Sequence, residues 1–320
     1  MVHLIDRLAP LGFLLDRRSK VFAEGWGQDE HVALFGTGLT AADPLPTLDV
    51  AWGRKEEHPG FRLRRASMTS PVSDLLPHPA RALTVEWIEP AQGTDRTVVL
   101  FPAWNDETFD ARRKLARLLA SRGIGSFIAD IAFYGQRRLQ PGNRPAIGSV
   151  GDFALMGYTA VAEGRALVAL ATESGAAGAS GYSMGGNLAA YVSASMPRRI
   201  ATAPLAASHG PGPVYLEGAL RRAIDWKALG GRVDAVDRLR DVLGGASVLN
   251  LPSLAHHPAA VIVAAERDGW VLPEFSRDLA AHWGAELRLV HGAGHGTLLW
   301  RRKDVLADAI LDSFHRIGEA

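Results

Sequence analysis

From about residue 84 the chain alternates between two hydrophobic periods. Short apolar runs are followed by stretches whose apolar residues recur every three to four positions, and this alternation predicts a mainly parallel sheet covered by helices. Residues 84–88 and 97–101 read as the first two strands. Residues 107–122 carry Leu115, Leu118 and Leu119 on one side and end at Gly123, a helix with its stop signal. A buried strand at 124–131 follows, then a long helix to about residue 173 that Asp152 is placed to cap. Residues 176–182 form a strand of small residues that runs straight into Ser183, and 184–196 read as a helix stopped by Pro197. Further strands are expected at 200–205, 259–265 and 286–290. A closing helix at 305–317 aligns Leu306, Ile310, Phe314 and Ile317 on one face.

Two regions break the rhythm. Between 207 and 258, Leu216, Leu220 and Ile224, then Val236, Leu239 and Leu243, repeat at helical spacing, so this segment reads as a helical cap inserted over the sheet. Residues 1–83 show no comparable period and read as an N-terminal extension packed on a core made of 84–206 and 259–320. Within 1–20 an apolar patch at 11–15 is flanked by Asp6, Arg7, Asp16 and Arg17, too short and too charged for a signal peptide. It fits a helix packed on the domain, with a surface-lying amphipathic helix as the alternative. No stretch approaches the ~20 apolar residues a membrane span requires.

Composition narrows the function classes. The 320 residues are 47% hydrophobic and 22% charged, which suits one elaborated globular domain. A net charge of +1, with Arg interspersed among Asp and Glu, lacks the single-sign field that recruits a phosphate backbone, so nucleic acid is not an expected partner. The absence of Cys excludes disulfides, thiolate zinc sites and a cysteine nucleophile, and fits a reducing, cytoplasmic setting.

The strongest chemical signal is Gly181, Tyr182, Ser183, Met184, Gly185, Gly186, a G-x-S-x-G motif between a strand and a helix. So tight a turn strains the serine backbone, and neighbours without side chains relieve the crowding. The turn also sets the hydroxyl at a helix N-terminus, where free amides favour a developing anion. A serine needs a base, and the base needs a carboxylate to orient it, in the chain order serine, acid, histidine for this kind of sheet. Asp268, just past the run 259–265 and beside Gly269, is the candidate acid, with Glu266 in reserve. His295, in the small-residue loop Gly292, Ala293, Gly294, His295, Gly296, is the candidate base, read as riding a mobile loop, with His291 as competitor. Adjacent His256 and His257 diverge in direction, so a metal site is not expected there. One oxyanion amide is assigned to Met184 and a second to Trp104, in the loop after 97–101.

With these residues in place, the sequence resembles the α/β-hydrolase-domain-containing protein eighteen family over most of its length. Phe22, Gly25, Trp26, Gly27 are similar to that family's F-x-x-G-W-G stretch, and Met68, Ser70, Pro71 sit near its F-x-S-P element. Phe133, Tyr134, Gly135, Arg137, Arg138 resemble its Y-Y-G-x-R segment, and Gly181 to Gly186 match its G-x-S-M-G-G motif. Ile224, Asp225, Trp226, Leu229 echo its I-N-W-x-x-L cap element, and its acid and histidine positions fall on Asp268 and His295. The chain departs from the family in the oxyanion loop, where Phe101, Pro102, Ala103, Trp104, Asn105 replace L-A-G-T-G.

The resemblance implies an α/β-hydrolase fold and a hydrolase, with lipid acyl esters among its expected substrates, and neither metal nor organic cofactor is required. Tyr182 and Trp226 are candidate substrate contacts; Trp226, Leu216, Leu220 and Tyr215 either line an acyl pocket or seal the cap. Tyr134 with Arg137 and Arg138 is a candidate receptor for an anionic head group, with a solvated arginine pair as the alternative. Two competing classes remain: the same fold acting as a ligand-binding or scaffold module, and a nucleotide-dependent enzyme. The second would carry G-x-G-x-x-G after the first strand, and no such match exists.

Overall fold

The computed structural model describes residues 2–8, 20–139 and 147–318. The strands are β1 (Glu56–His58), β2 (Phe61–Thr69), β3 (Ala82–Pro90), β4 (Arg96–Phe101), β5 (Gly125–Ala129), β6 (Ala176–Tyr182), β7 (Ala201–Leu205), β8 (Val261–Ala265) and β9 (Glu286–Val290). They form one nine-stranded sheet in the order β1-β2-β3-β5-β4-β6-β7-β8-β9. The first three join antiparallel, and from β5 to β9 every pairing is parallel. Strands β5, β7 and β8 are buried along their whole length, as parallel strands covered on both faces must be.

The helices used below are α1 (Leu4–Leu8), α2 (Asp110–Ala120), α3 (Val150–Thr172), α4 (Met184–Ala194), α5 (Pro211–Leu216), α6 (Arg232–Gly245), α7 (Pro273–Trp283), α8 (His295–Arg301) and α9 (Lys303–Gly318). Side chains alternate across the sheet. Val99 of β4 joins a core with Leu167 of α3 and Val192 of α4, while Val98 and Leu100 join a second core with Leu119 of α2 and Phe314 of α9. Between β7 and β8 the chain leaves the sheet and forms α5 and α6.

The structure departs from the expected pattern in three places. The segment 56–69, read as part of an extension wrapping the core, adds two antiparallel strands to the sheet edge. Its arginines obscure the alternation because they pair across strands: Arg65 Nε donates to Glu86 at 2.9 Å, and Arg64 lies 5.0 Å from the Trp87 ring centroid. The cap of α3 is Ser149, with Asp152 as its partner. Ser149 Oγ accepts from the Asp152 amide at 3.0 Å while Asp152 Oδ2 accepts from the Ser149 amide at 3.1 Å. Helix α3 itself, 23 residues with a window of mean hydropathy 1.3, is long and apolar enough to cross a membrane by length and composition. It packs on β4 and β6, and 78% of that window is buried inside the protein. The patch at 11–15 lies outside the described residues; α1 precedes it.

The two motifs at 22–27 and 224–229 meet. Val21 pairs with Ile224 in an isolated bridge, the Trp26 indole donates to Leu229 O at 3.1 Å, and the carbonyls of Gly25 and Trp26 accept the first amides of α3 at 3.0 and 2.9 Å. A helix start that would otherwise leave its amides unpaired is closed by the amino-terminal segment.

Candidate active site

Ser183 stands between β6 and α4 with φ 57° and ψ −117°, a region a side chain adopts only under constraint. The constraint is visible around it. The Ser183 amide donates to Leu205 O at 2.8 Å, and Gly181 and Gly185 touch backbone to backbone. A Cβ on Gly181 would stand 2.5 Å from Gly185 C, and one on Gly185 would stand 2.8 Å from Phe101 C, so neither site admits alanine without displacing the turn. Leading α4, Met184 has no intrahelical acceptor for its N–H.

Asp268 follows β8 and is buried. Its Oδ1 accepts from the amides of Trp270 and Val271 at 2.8 and 2.9 Å, which fixes the carboxylate. Its Oδ2 lies 2.6 Å from Nδ1 of His295. A carboxylate only accepts, so Nδ1 carries the proton and Nε2 is left with a lone pair, the form a base requires. Burial alone would push the His295 imidazole down; the charge and hydrogen bond of Asp268, with a further contribution from Asp6, outweigh it and hold its pKa above the ordinary histidine value. His295 does not ride a mobile loop. It is the first residue of α8, and its carbonyl accepts from the Tyr182 hydroxyl at 2.5 Å.

The reserve residues occupy each other. Glu266 Oε1 lies 3.2 Å from His291 Nδ1, and Oε2 accepts the Gly292 amide at 2.9 Å, at an exposed corner of the sheet. Neither lines the cavity that Ser183 and His295 share.

That cavity has a volume of about 380 Å³, within the usual range for small-molecule sites. Phe153, Met156 and Val161 of α3 form one wall, Leu188 and Tyr191 of α4 another, and Val214, Tyr215 and Leu220 of the 207–258 segment a third. Among the described residues, its only acidic side chain is Asp6, and neither Lys nor Arg lines it. The lining residues with exposed positions are Ile5, Asn105 and Trp300, which mark its mouth.

Trp104 also lines the cavity, in the loop after β4. The missing glycines of that loop are compensated by Asn105, which takes φ 63°, a conformation asparagine tolerates better than most residues. Two contacts brace it: the Asn105 amide donates to the Tyr134 hydroxyl at 3.3 Å, and Arg112 Nε donates to Asp106 at 2.7 Å.

Of the candidate substrate contacts, Tyr134 and Trp226 lie outside the cavity and Tyr182 lines it. Tyr134 is buried behind the loop and braces it without lining the cavity. Trp226 lies outside the cavity against Arg232, 5.7 Å from the ring centroid, and Leu216 is also outside. Tyr182 does line the cavity, but its hydroxyl is engaged by His295 O. The arginine pair fits neither the solvated reading nor the head-group one, because each arginine is held by a carboxylate of the protein itself. Arg137 is buried and forms a two-pronged bond to Glu163 at 2.9 and 2.6 Å, and Arg138 Nε donates to Glu107 at 2.8 Å. Among the described residues no group of three or more His, Asp or Glu is arranged to hold a metal ion.

Sequence reasoning missed Asp6 and Asn187. Asp6 is buried beside His295, whose amide it accepts at 2.6 Å. Asn187, one turn into α4, donates to Ser208 O at 3.1 Å and ties the helix that follows Ser183 to the segment after β7. The i+4 spacing of Asn187 from Ser183 was the one signal available for it.

Comparison with known proteins gives a family and a fold. Residues 19–243 match the model of the family described as alpha/beta hydrolase domain containing 18. Among curated proteins none matches. Among solved structures, acetyl xylan esterase 1 from Thermoanaerobacterium superposes with a TM-score of 0.58 at 12% identity, covering 93% of this chain and 97% of that one. An acetyl xylan esterase from Paenibacillus gives 0.55 at 12% identity, covering 96% of each chain. An esterase of Pyrococcus furiosus gives 0.53 at 15% identity, over 86% of this chain and 99% of that one. At such identities the likeness establishes the α/β-hydrolase fold.

Proposed function

The chain belongs to the alpha/beta hydrolase domain containing 18 family, and from that membership we propose that it is a serine esterase acting on neutral esters with an apolar acyl chain. Ser183 attacks the ester carbonyl and gives its proton to His295 Nε2, while Asp268 stabilises the imidazolium that forms. The amides of Met184 and Trp104 take the negative charge on the carbonyl oxygen. Collapse of the tetrahedral adduct expels the alcohol, protonated by His295, and leaves an acyl-serine. Water, deprotonated by the same imidazole, then releases the acid and restores the serine.

The observation that carries this reading is the 2.6 Å bond between Asp268 and His295 beside a strained serine in one apolar cavity. The absence of Lys and Arg from its described lining argues for an uncharged substrate. Apolar walls from α3, α4 and the 207–258 segment suit an acyl chain, and that segment acts as the cap of the site. Labelling with a fluorophosphonate probe tests the assignment: the parent chain should label and a Ser183→Ala variant should not. Equal labelling of the two would remove the nucleophile. Across p-nitrophenyl esters, uncharged alkanoyl chains should be favoured over acyl chains that end in a carboxylate, and preference for a dicarboxylic monoester would refute the uncharged-substrate reading.

A further inference from the structure

Helix α1 is arranged the wrong way round for a surface helix. It leaves Leu4 65% and Ile5 39% exposed, yet buries the carboxylate of Asp6 to 3%. A buried carboxylate must find donors, and Asp6 Oδ2 takes two backbone amides, His295 at 2.6 Å and Gly269 at 3.2 Å. These amides belong to the residue after Asp268 and to His295 itself, where the loop after β9 runs into α8. The seat is shaped for α1: a Cβ on Gly269 would meet Val2 Cγ1 at 2.5 Å, and a Cβ on Gly294 would meet Asp6 Oδ2 at 2.7 Å. The His3 amide adds a third tie, donating to Arg267 O at 2.8 Å.

We propose that Asp6 is a positioning residue for the acid and the histidine, holding their two loops at a fixed separation and setting a second negative charge beside the imidazole. The inference rests on the acyl-transfer reading of Ser183, Asp268 and His295. One oxygen bridging both amides fixes the spacing on which the Asp268–His295 bond depends, and small errors in such spacing are costly to rate. The charge favours the imidazolium that forms as the serine loses its proton. The titratable and charged groups facing the imidazole are Asp268 from the loop after β8, Asp6 from α1 and Tyr182 from β6; His3 packs beside Gly294.

The test compares kcat and KM across pH for the parent, Asp6→Asn, Asp6→Ala and Ser183→Ala on p-nitrophenyl butyrate. Asp6→Asn keeps an oxygen for the amides and removes the charge. Its acidic limb should move to lower pH, with kcat down about 3- to 10-fold and KM within about twofold. Asp6→Ala loses both roles, and its kcat should fall about 10- to 100-fold. An Asp6→Asn profile that superimposes on the parent's overturns the inference, as does an Asp6→Ala enzyme with the parent's kcat. Thermal melts identify an Asp6→Ala chain that fails to fold, in which case the isosteric Asp6→Asn decides. A Ser183→Ala chain as active as the parent fails the underlying reading and takes the inference with it. An inactive Ser183→Ala beside an unaltered Asp6→Asn fails the inference alone.

Discussion

Strands β8 and β9 present two carboxylate–imidazole pairs at the same end of the sheet, a few residues apart. Asp268 and His295 lie 2.6 Å apart, with the carboxylate buried and the imidazole on the cavity; Glu266 and His291 lie 3.2 Å apart with the imidazole 80% exposed. The chemistry of the two pairs is the same, and water separates their behaviour. An exposed pair is screened and contributes little, whereas a desolvated one concentrates its field on whatever shares the cavity. Residue type and strand-end position thus select the neighbourhood, and burial selects the member of it that shares a cavity with Ser183.

The largest expected contrast comes from removing one carboxylate charge from each pair. Asp268→Asn should lower kcat by about 10⁴-fold through the wrong tautomer, whereas Glu266→Gln should leave it within about twofold. Comparable losses from both, measured in steady-state ester turnover, would erase the distinction.

A third pair tests whether burial alone suffices. Arg137 and Glu163 are buried but lie away from the cavity. Breaking the pair with Glu163→Ala should cost about 3–5 kcal/mol in chemical denaturation because it strands a buried charge, while the folded fraction keeps its kcat. Loss of kcat without loss of stability would give that pair a chemical role.

The pH response sharpens the contrast further. Because the His295 pKa is held above the ordinary value of 6.5, the base is protonated and idle at lower pH, and kcat/KM should rise through a limb above that value. The sign for stability is opposite. The Asp268–imidazolium pair contributes fully below the unfolded-state pKa and its contribution is lost as pH rises through the folded-state one. Activity and this part of stability should therefore move in opposite directions across the same window, and denaturation midpoints that rise with activity there would contradict the assignment. The smallest effect is expected from His291→Ala, whose pH profile should overlay the parent's within error.

What the sequence made legible was local. The six-residue motif around Ser183 carried its own strand and helix, and two apolar runs pointed to the neighbourhoods of Asp268 and His295, with the adjacent glycines favouring these two over Glu266 and His291. The failures were of two kinds. In 62–65, three arginines masked a strand because their partners, Glu89 for Arg62, Trp87 for Arg64 and Glu86 for Arg65, are supplied by a neighbouring strand. Asp6 was unreadable because its partners lie 263 and 289 residues away, and nothing in LIDRL distinguishes a buried carboxylate from a solvated one. For Tyr134 and Arg137 the sequence leaves open a solvated loop or a head-group contact, and neither describes residues that brace a loop and fill an interior charge pair.

The bridge between Val21 and Ile224 has a bearing on how the protein is made. A seam joining positions some two hundred residues apart closes a long loop, which costs entropy before any contact rewards it. On a ribosome the amino-terminal segment can meet the start of α3 once residues 147–151 have emerged, but the seam with Ile224 closes only after roughly two thirds of the polypeptide is out. A chain interrupted before residue 224 would hold a serine and a capped α3 but neither that seam nor the strands that carry Asp268 and His295.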